Sequence, residues 1–453
     1  MRIRRESVYV RRRRVAAAVA GVAGVAVLAA CLGQGAEEDE AGAAAPGGAV
    51  AEDAGATEEP TGGGGDAAGT EEAADEDAAD DAGAEGADGE TEPAAAPALP
   101  EVPSEQTTME QVDYLTGGIT PKSVVANGHG LVIANNMMYS HTSTVYDAES
   151  RELVATLSDE VDLAELGVEG HPGLSRGAPV EAAWTADGRY AYVSQYTMYG
   201  SGFGKEGFDA CTPSDGVGAS FLYRFDAEEM AWDQAIEVGA VPKFVDITPD
   251  QTRVLVSNWC DSTISVVDIE AAEEVDVIPV AAAPRGIEVL PDNRTAYVTA
   301  MYADLLFKVD LETGESEVMM ETTDKPRHLN LSEDGRWLYL AVSGADTVYK
   351  IDTETEQIVD EVVSGREPRS MTLSSDGTAL YVVNYYEPSV AKIRTSDMTL
   401  LQKEPTDATP IGVTYEPTTH SVWVAAYGGS IAVFDDTEPA ADGDDAAGGS
   451  SGR

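Results

Sequence analysis

The chain reads as an all-β protein, a seven-bladed β-propeller with four antiparallel strands per blade. Three observations carry that reading. Pro242, Pro284, Pro326, Pro368 and Pro410 follow one another at 42-residue steps. Asp250, Asp292, Asp334 and Asp376 each stand eight residues after their proline, and Leu255, Tyr297, Tyr339, Tyr381 and Trp423 stand thirteen after. Between these marks lie short β-branched and aromatic runs, separated by Asp, Gly, Asn and Pro. A fixed period near 40 residues holding several short strands is the sequence signature of a radially repeated sheet.

Residues 1–30 read as an export signal. Arg2, Arg4, Arg5 and the run Arg11 to Arg14 form a basic start, and Val15 to Leu28 is an apolar stretch too short and Ala-rich for a membrane span. It ends in Leu28-Ala29-Ala30-Cys31, which resembles a bacterial lipobox. The resemblance implies cleavage before Cys31, lipid on that cysteine, and an extracytoplasmic protein anchored to the cell membrane. Two acyl chains suffice for stable anchoring where one does not. The paired arginines leave both the general and the twin-arginine export routes open.

Residues 31–105 are Ala, Gly, Glu, Asp and Pro, with no Lys or Arg before Lys122. Such a segment cannot bury enough apolar surface to offset its ordering entropy, so a disordered acidic tether is expected. Its typical reach as a flexible chain is about 50 Å. Residues 437–453 are a shorter tail of the same kind. The formal charge of −53 disfavours nucleic acid or an anionic membrane as a partner for the whole surface.

The propeller is assigned to residues 106–436. Counting Pro121, Pro179, Pro242, Pro284, Pro326, Pro368 and Pro410 gives seven blades. In the repeat after Pro284, strands are expected at Ile287 to Leu290, Ala296 to Ala300 and Leu305 to Val309, with a fourth like Glu274 to Val280. The repeated Asp reads as turn chemistry. The last blade stops at Asp436 after three strands, and Glu110 to Tyr114 stands before Pro121 as Glu273 to Val277 stands before Pro284. The N-terminal strand is therefore expected to complete the C-terminal blade and leave no open edge.

Tyr297-Val298-Thr299-Ala300, Tyr381-Val382-Val383-Asn384, Tyr192-Val193-Ser194-Gln195 and Leu255-Val256-Ser257-Asn258 resemble the YVTN motif of YVTN-family β-propeller repeats, over about residues 110–436. The resemblance implies the fold and an exported or surface-associated protein, and says little about activity.

Strand direction puts the loop before each proline and the loop after each YVTN-like strand on one face. Two insertions fall there: Ser158 to about Arg176, and about Thr197 to Ser220. Loops on a rigid scaffold carry binding, so this is the expected functional face. Cys211 and Cys260 fall on it and suit a disulfide in an exported protein. The residue after the proline is basic in five blades: Lys122, Lys243, Arg285, Arg327 and Arg369. Such a ring either pairs with neighbouring carboxylates or binds an anion. Tyr196, Trp259, Tyr385 and Tyr427 occupy a second register beside it, as inter-blade packing or as stacking surfaces.

Five scattered histidines make no multinuclear copper or zinc site, so no metal and no cofactor are expected. His141 and His171 read as solvated loop residues. His328, after Pro326-Arg327, is a candidate catalytic residue, because Pro-Arg-His resembles a stretch of lactonase-type propellers. Two function classes remain. One is a binding or scaffold propeller for a protein partner or an anionic ligand, expected to be a monomer. The other is an extracytoplasmic enzyme or enzyme subunit, a lactonase-type hydrolase or a dehydrogenase-associated propeller.

Overall fold

The computed structural model describes residues 102–198, 206–207 and 209–439. The 1–30 signal, the lipidation site Cys31, the linker up to residue 101 and the tail beyond residue 439 lie outside the described residues.

Seven four-stranded antiparallel sheets form the ring. Blade 1 is Ser123–Ala126, Leu131–Asn136, Thr142–Asp147 and Leu153–Ser158; blade 2 is Pro179–Trp184, Tyr190–Gln195, Ser220–Asp226 and Ala231–Val238. Blades 3, 4, 5 and 6 begin at Pro242, Pro284, Pro326 and Pro368 and run outward in chain order. Blade 7 is Pro410–Glu416, Ser421–Ala426 and Ser430–Pro439, closed by Thr107–Leu115 as its fourth strand. Thr107 pairs with Pro439 and Leu115 with Ile431, so the closing strand is antiparallel to its neighbour.

The strands form where β-branched and aromatic residues cluster, and the turns form where Asp can accept backbone N–H groups. Arg189, Thr252, Arg294, Arg336 and Thr378 donate their N–H to the Oδ1 of Asp187, Asp250, Asp292, Asp334 and Asp376 at 2.9–3.1 Å. In six of the seven repeats the first strand starts at its proline, three residues before the expected Ile287 in blade 4, and in blade 1 it starts at Ser123. Proline is tolerated there because it is the first strand residue.

The core is a set of layers between neighbouring blades. Tyr192, Leu255, Tyr297, Tyr339, Tyr381 and Trp423, all at one repeat position, are buried in them. A lysine staple adds to the layers on one side of the ring. Lys308, Lys350 and Lys392 stand 42 residues apart and each reaches the next blade. Lys308 Nζ meets Glu356 at 2.6 Å, Lys350 Nζ donates to the Thr395 carbonyl at 2.7 Å, and Lys392 Nζ meets Asp436 at 2.6 Å.

Secondary structure extends slightly past 106–436. Ser104–Gln106 forms a single 3-10 turn, and Ser104 N–H donates to Asp376 Oδ2 at 2.8 Å on the Asp-turn face.

Candidate functional site

The mouth of the ring is built by one backbone device used six times. Ala178, Val241, Ala283, Lys325, Glu367 and Thr409 stand immediately before their prolines with φ between 56° and 63°. None is glycine, so each pays about 1 kcal/mol or more for a left-handed conformation. Hydrogen bonds hold the kink. The carbonyls of these six residues accept the N–H of Tyr196, Trp259, Met301, Ser343, Tyr385 and Tyr427 at 2.8–3.1 Å. Just after each proline the ladder between the first two strands slips, a bulge that all six blades share. Bulges re-aim side chains. Kink and bulge together turn the residue after the proline toward the channel and fix the aromatic register beside it.

Lys243, Arg285 and Arg327 are thereby gathered with at least nine-tenths of each residue buried, Arg369 is partly buried beside them, and Lys122 of blade 1 joins them, equally buried, without the kink or the bulge. Burial, then the charge of Arg285, holds the Lys122 ammonium well below its usual value. Burial and the charges of Arg285 and Arg369 do the same to Arg327. A guanidinium starts so high that it stays protonated at neutral pH.

Two of the five cations are paired. Lys243 Nζ is 2.8 Å from Asp209 Oδ2, and Arg369 contacts Glu367. Lys122 has Glu181 as its opposing charge, without a direct contact. Arg285 and Arg327 touch no carboxylate among the described residues. Aromatic faces line the mouth. Lys243 lies 4.6 Å from the Tyr196 ring centroid, Arg285 5.9 Å from that of Trp259, and Arg369 4.1 Å from that of Tyr385. Tyr427 is half-buried opposite Arg285 and Arg327, and desolvation drives its hydroxyl pKa up.

The insertion before residue 220 reaches this mouth. Cys211 and Cys260 form a disulfide with Cα atoms 5.2 Å apart. Trp259 Nε1 donates to the Asp209 carbonyl at 2.8 Å. The other insertion goes elsewhere. Its hairpin, Glu160–Asp162 with Leu174–Arg176, packs Val161 and Leu163 on Phe221, Tyr223 and Ala235 of blade 2. Only the insertion before residue 220 supplies a charge to the mouth; the other reaches its edge through Asp159, whose Oδ2 accepts the Ala178 N–H at 3.1 Å.

His328 sits in the channel next to the cations. Its Nδ1 accepts the Met371 N–H at 3.2 Å, and its ring stands edge-on to Phe244 at 5.1 Å. Burial and the surrounding charges push its pKa down to about 3, so it is a weak proton acceptor at neutral pH. His141 pairs with Glu206 at 3.0 Å and His171 with Glu237 at 3.5 Å. Among the described residues no group of three His, Cys, Asp or Glu is placed to hold a metal.

Sequence reasoning missed Asp209, Glu181 and Glu367, and a carboxyl pair deeper in the channel. Burial raises the Asp246 pKa to about 7, and burial followed by the Asp246 charge raises that of Glu288 well above the usual range. An open groove of about 730 Å³ lies elsewhere, lined by Glu169, Glu237, Asp261, Glu273 and Glu274, and is acidic where the mouth is basic.

A family model for the Cytochrome D1 heme domain matches residues 324–435. Among solved structures, the chain is similar to one of Kuenenia stuttgartiensis hydrazine synthase, at TM-score 0.54 and 16% identity, covering 70% of this chain and 96% of that one. It is also similar to a chain from a crystal structure of the mitotic checkpoint complex, at TM-score 0.58 and 11% identity, covering 75% of this chain and 96% of that one. No curated protein matches the sequence. Identities this low speak to architecture alone, and the architecture they share with the blades described above is that of a seven-bladed β-propeller.

Proposed function

We propose that this protein is a binding propeller that captures a small anionic ligand in the basic mouth, on the face that carries the disulfide-pinned loop. One observation carries the reading. Arg285 and Arg327 converge at the mouth, mostly buried, and neither touches a carboxylate within 4 Å among the described residues. Burying unpaired charge is costly, and an anion would offset the cost. The aromatic walls exclude water and strengthen the attraction.

We place the protein outside the cytoplasm, anchored through Cys31. Support comes from the signal-like N-terminus and from a Cys211–Cys260 bond that an oxidising compartment would preserve.

The test is thermal unfolding at fixed salt against carboxylates, phosphate and acidic sugars. A ligand should stabilise by RT ln(1 + [L]/Kd), about 2.7 kcal/mol at one hundred times Kd. The effect should vanish in an Arg285→Ala, Arg327→Ala, Arg369→Ala triple variant. Absence of any shift, or an equal shift in the variant, overturns the reading.

A second reading, an enzyme-associated propeller, draws on the Cytochrome D1 heme domain match. The basic mouth would suit the acidic edge of a haem. A histidine-ligated iron does not fit. His328 Nδ1 already accepts the Met371 N–H, which leaves the proton on Nε2.

A further inference from the structure

The mouth also carries a definite charge. Five cations face three carboxylates that interact with them: Asp209 on Lys243, Glu367 on Arg369, and Glu181 opposite Lys122. Lys122 and Glu181 stand as one opposed pair and are set against each other. Tyr196 and Tyr427 have hydroxyl pKa values pushed up by burial, and His328 has its pKa pushed down, so all three are neutral near pH 7. Two positive charges remain, on Arg285 and Arg327. They stand at the same position of adjacent blades, 42 residues apart. Tyr427 faces both guanidiniums. Apart from Arg327 Nη1 at 3.8 Å from Met301 Sδ, neither guanidinium has a side-chain hydrogen-bond partner among the described residues, and neither is sealed from the channel.

We infer that the mouth is matched to a compact dianion seated on Arg285 and Arg327, and that Asp209 sets this valence by occupying Lys243 in place of a third ligand charge. The inference rests on the binding reading above and names its ligand class. Guanidinium forks match planar carboxylates and tetrahedral oxyanions alike. A monoanion leaves one buried guanidinium uncompensated. A trianion brings a charge whose desolvation nothing repays. Asp209 is a fixed competitor rather than a mobile one. Its carbonyl accepts the Trp259 indole N–H, and Cys211, two residues on, is bonded to Cys260 beside that tryptophan.

The experiment is isothermal titration of the full chain at pH 8 and fixed salt with succinamate, succinate and tricarballylate, which carry one, two and three charges on related skeletons. Succinate should bind about 10-fold more tightly than succinamate, one decade being about 1.4 kcal/mol. Tricarballylate should gain nothing further. In Asp209→Asn, checked for folding by circular dichroism, tricarballylate should become the tightest of the three. Sulfate beside succinate separates an oxyanion ligand from a dicarboxylate. Equal binding of succinamate and succinate, or a wild-type preference for tricarballylate, overturns the dianion, and needs no variant. A folded Asp209→Asn protein that still ranks succinate first overturns the role of Asp209. Failure of all four anions to bind overturns the binding reading itself.

Discussion

Lys392 Nζ lies 2.6 Å from Asp436 Oδ1 with neither side chain exposed at all, and it binds blade 6 to Ser430–Pro439, the strand beside the one that closes the ring. Thr107 Oγ1 donates to the same carboxylate at 2.7 Å, and the Tyr381 hydroxyl donates to it as well. Burial pulls the Lys392 ammonium below its ordinary pKa. Lys308 and Glu356 occupy the same relation between blades 4 and 5 but remain about one-third exposed. Lys392→Met should therefore cost about 3–5 kcal/mol, by stranding the Asp436 charge. Lys308→Met should cost about 1 kcal/mol or less. Urea midpoints of the two variants check this, and equal losses would refute it.

Gly286 and Gly412 each stand two residues after their proline. A Cβ on Gly286 would meet the Arg327 carbonyl oxygen at 2.8 Å, and one on Gly412 would meet Ser123 Cα at 2.9 Å. Both contacts are backbone and cannot swing aside. Gly286→Ala should destabilise by about 1–3 kcal/mol through overpacking and should weaken anion binding, because the segment it displaces carries Arg327. Gly377→Ala is the control. Its Cβ meets nothing within 4 Å, although φ is +68°, so it should lose stability to strain alone and keep ligand affinity. Unaltered anion affinity in Gly286→Ala would separate the close approach from the mouth.

Asp246 and Glu288 give the fold a pH dependence. Their folded pKa values are raised, Asp246 to about 7. Between the ordinary carboxyl range and neutrality the folded state thus holds more protons than the unfolded one. The stabilisation from the pair is fully present in acid and is lost as pH rises through about 7. The slope reaches about 1.4 kcal/mol per pH unit for each proton. Asp246→Asn keeps an acceptor for the Val289 N–H, which Asp246 Oδ2 takes at 3.0 Å, and should flatten the decline between pH 5 and 8. An unchanged slope in urea titrations at several pH values would assign it to other groups.

The disulfide closes a sequence separation of 49 residues. Cys211→Ser with Cys260→Ser should lower stability by about 2–4 kcal/mol. It should also make Trp259 more accessible to an aqueous fluorescence quencher, since the indole N–H is held by Asp209 on the same loop. Wild-type quenching in the double variant would show that the loop stays seated without its bond.

What the sequence made legible was whatever repeats. Prolines at a fixed step gave the blade count, and the missing fourth strand of the last blade pointed to Thr107–Leu115. The cation positions were visible for the same reason. Their balancing carboxylates were not, because Asp209 comes from an insertion with no repeat register and Glu181 is two residues after its proline in one blade only. The left-handed residues before the prolines were hidden because none is glycine; tertiary hydrogen bonds from the aromatic register override the local preference. The lysines at 308, 350 and 392 did repeat, but nothing local distinguishes an inter-blade staple from a solvated strand lysine. The hairpin around Val161 and Leu163 was placed by loop position, whereas its apolar residues seek the uncovered flank of blade 2.

The closing strand also fixes where the chain meets the ring. Thr107 lies opposite Pro439 at the Asp-turn end of blade 7, where Ser104 docks on Asp376. The chain therefore enters and leaves the ring on the side remote from Arg285 and Arg327. Where the ring joins the chain on either side, the connection is made away from the mouth, so neither junction narrows a ligand's approach to Arg285 and Arg327.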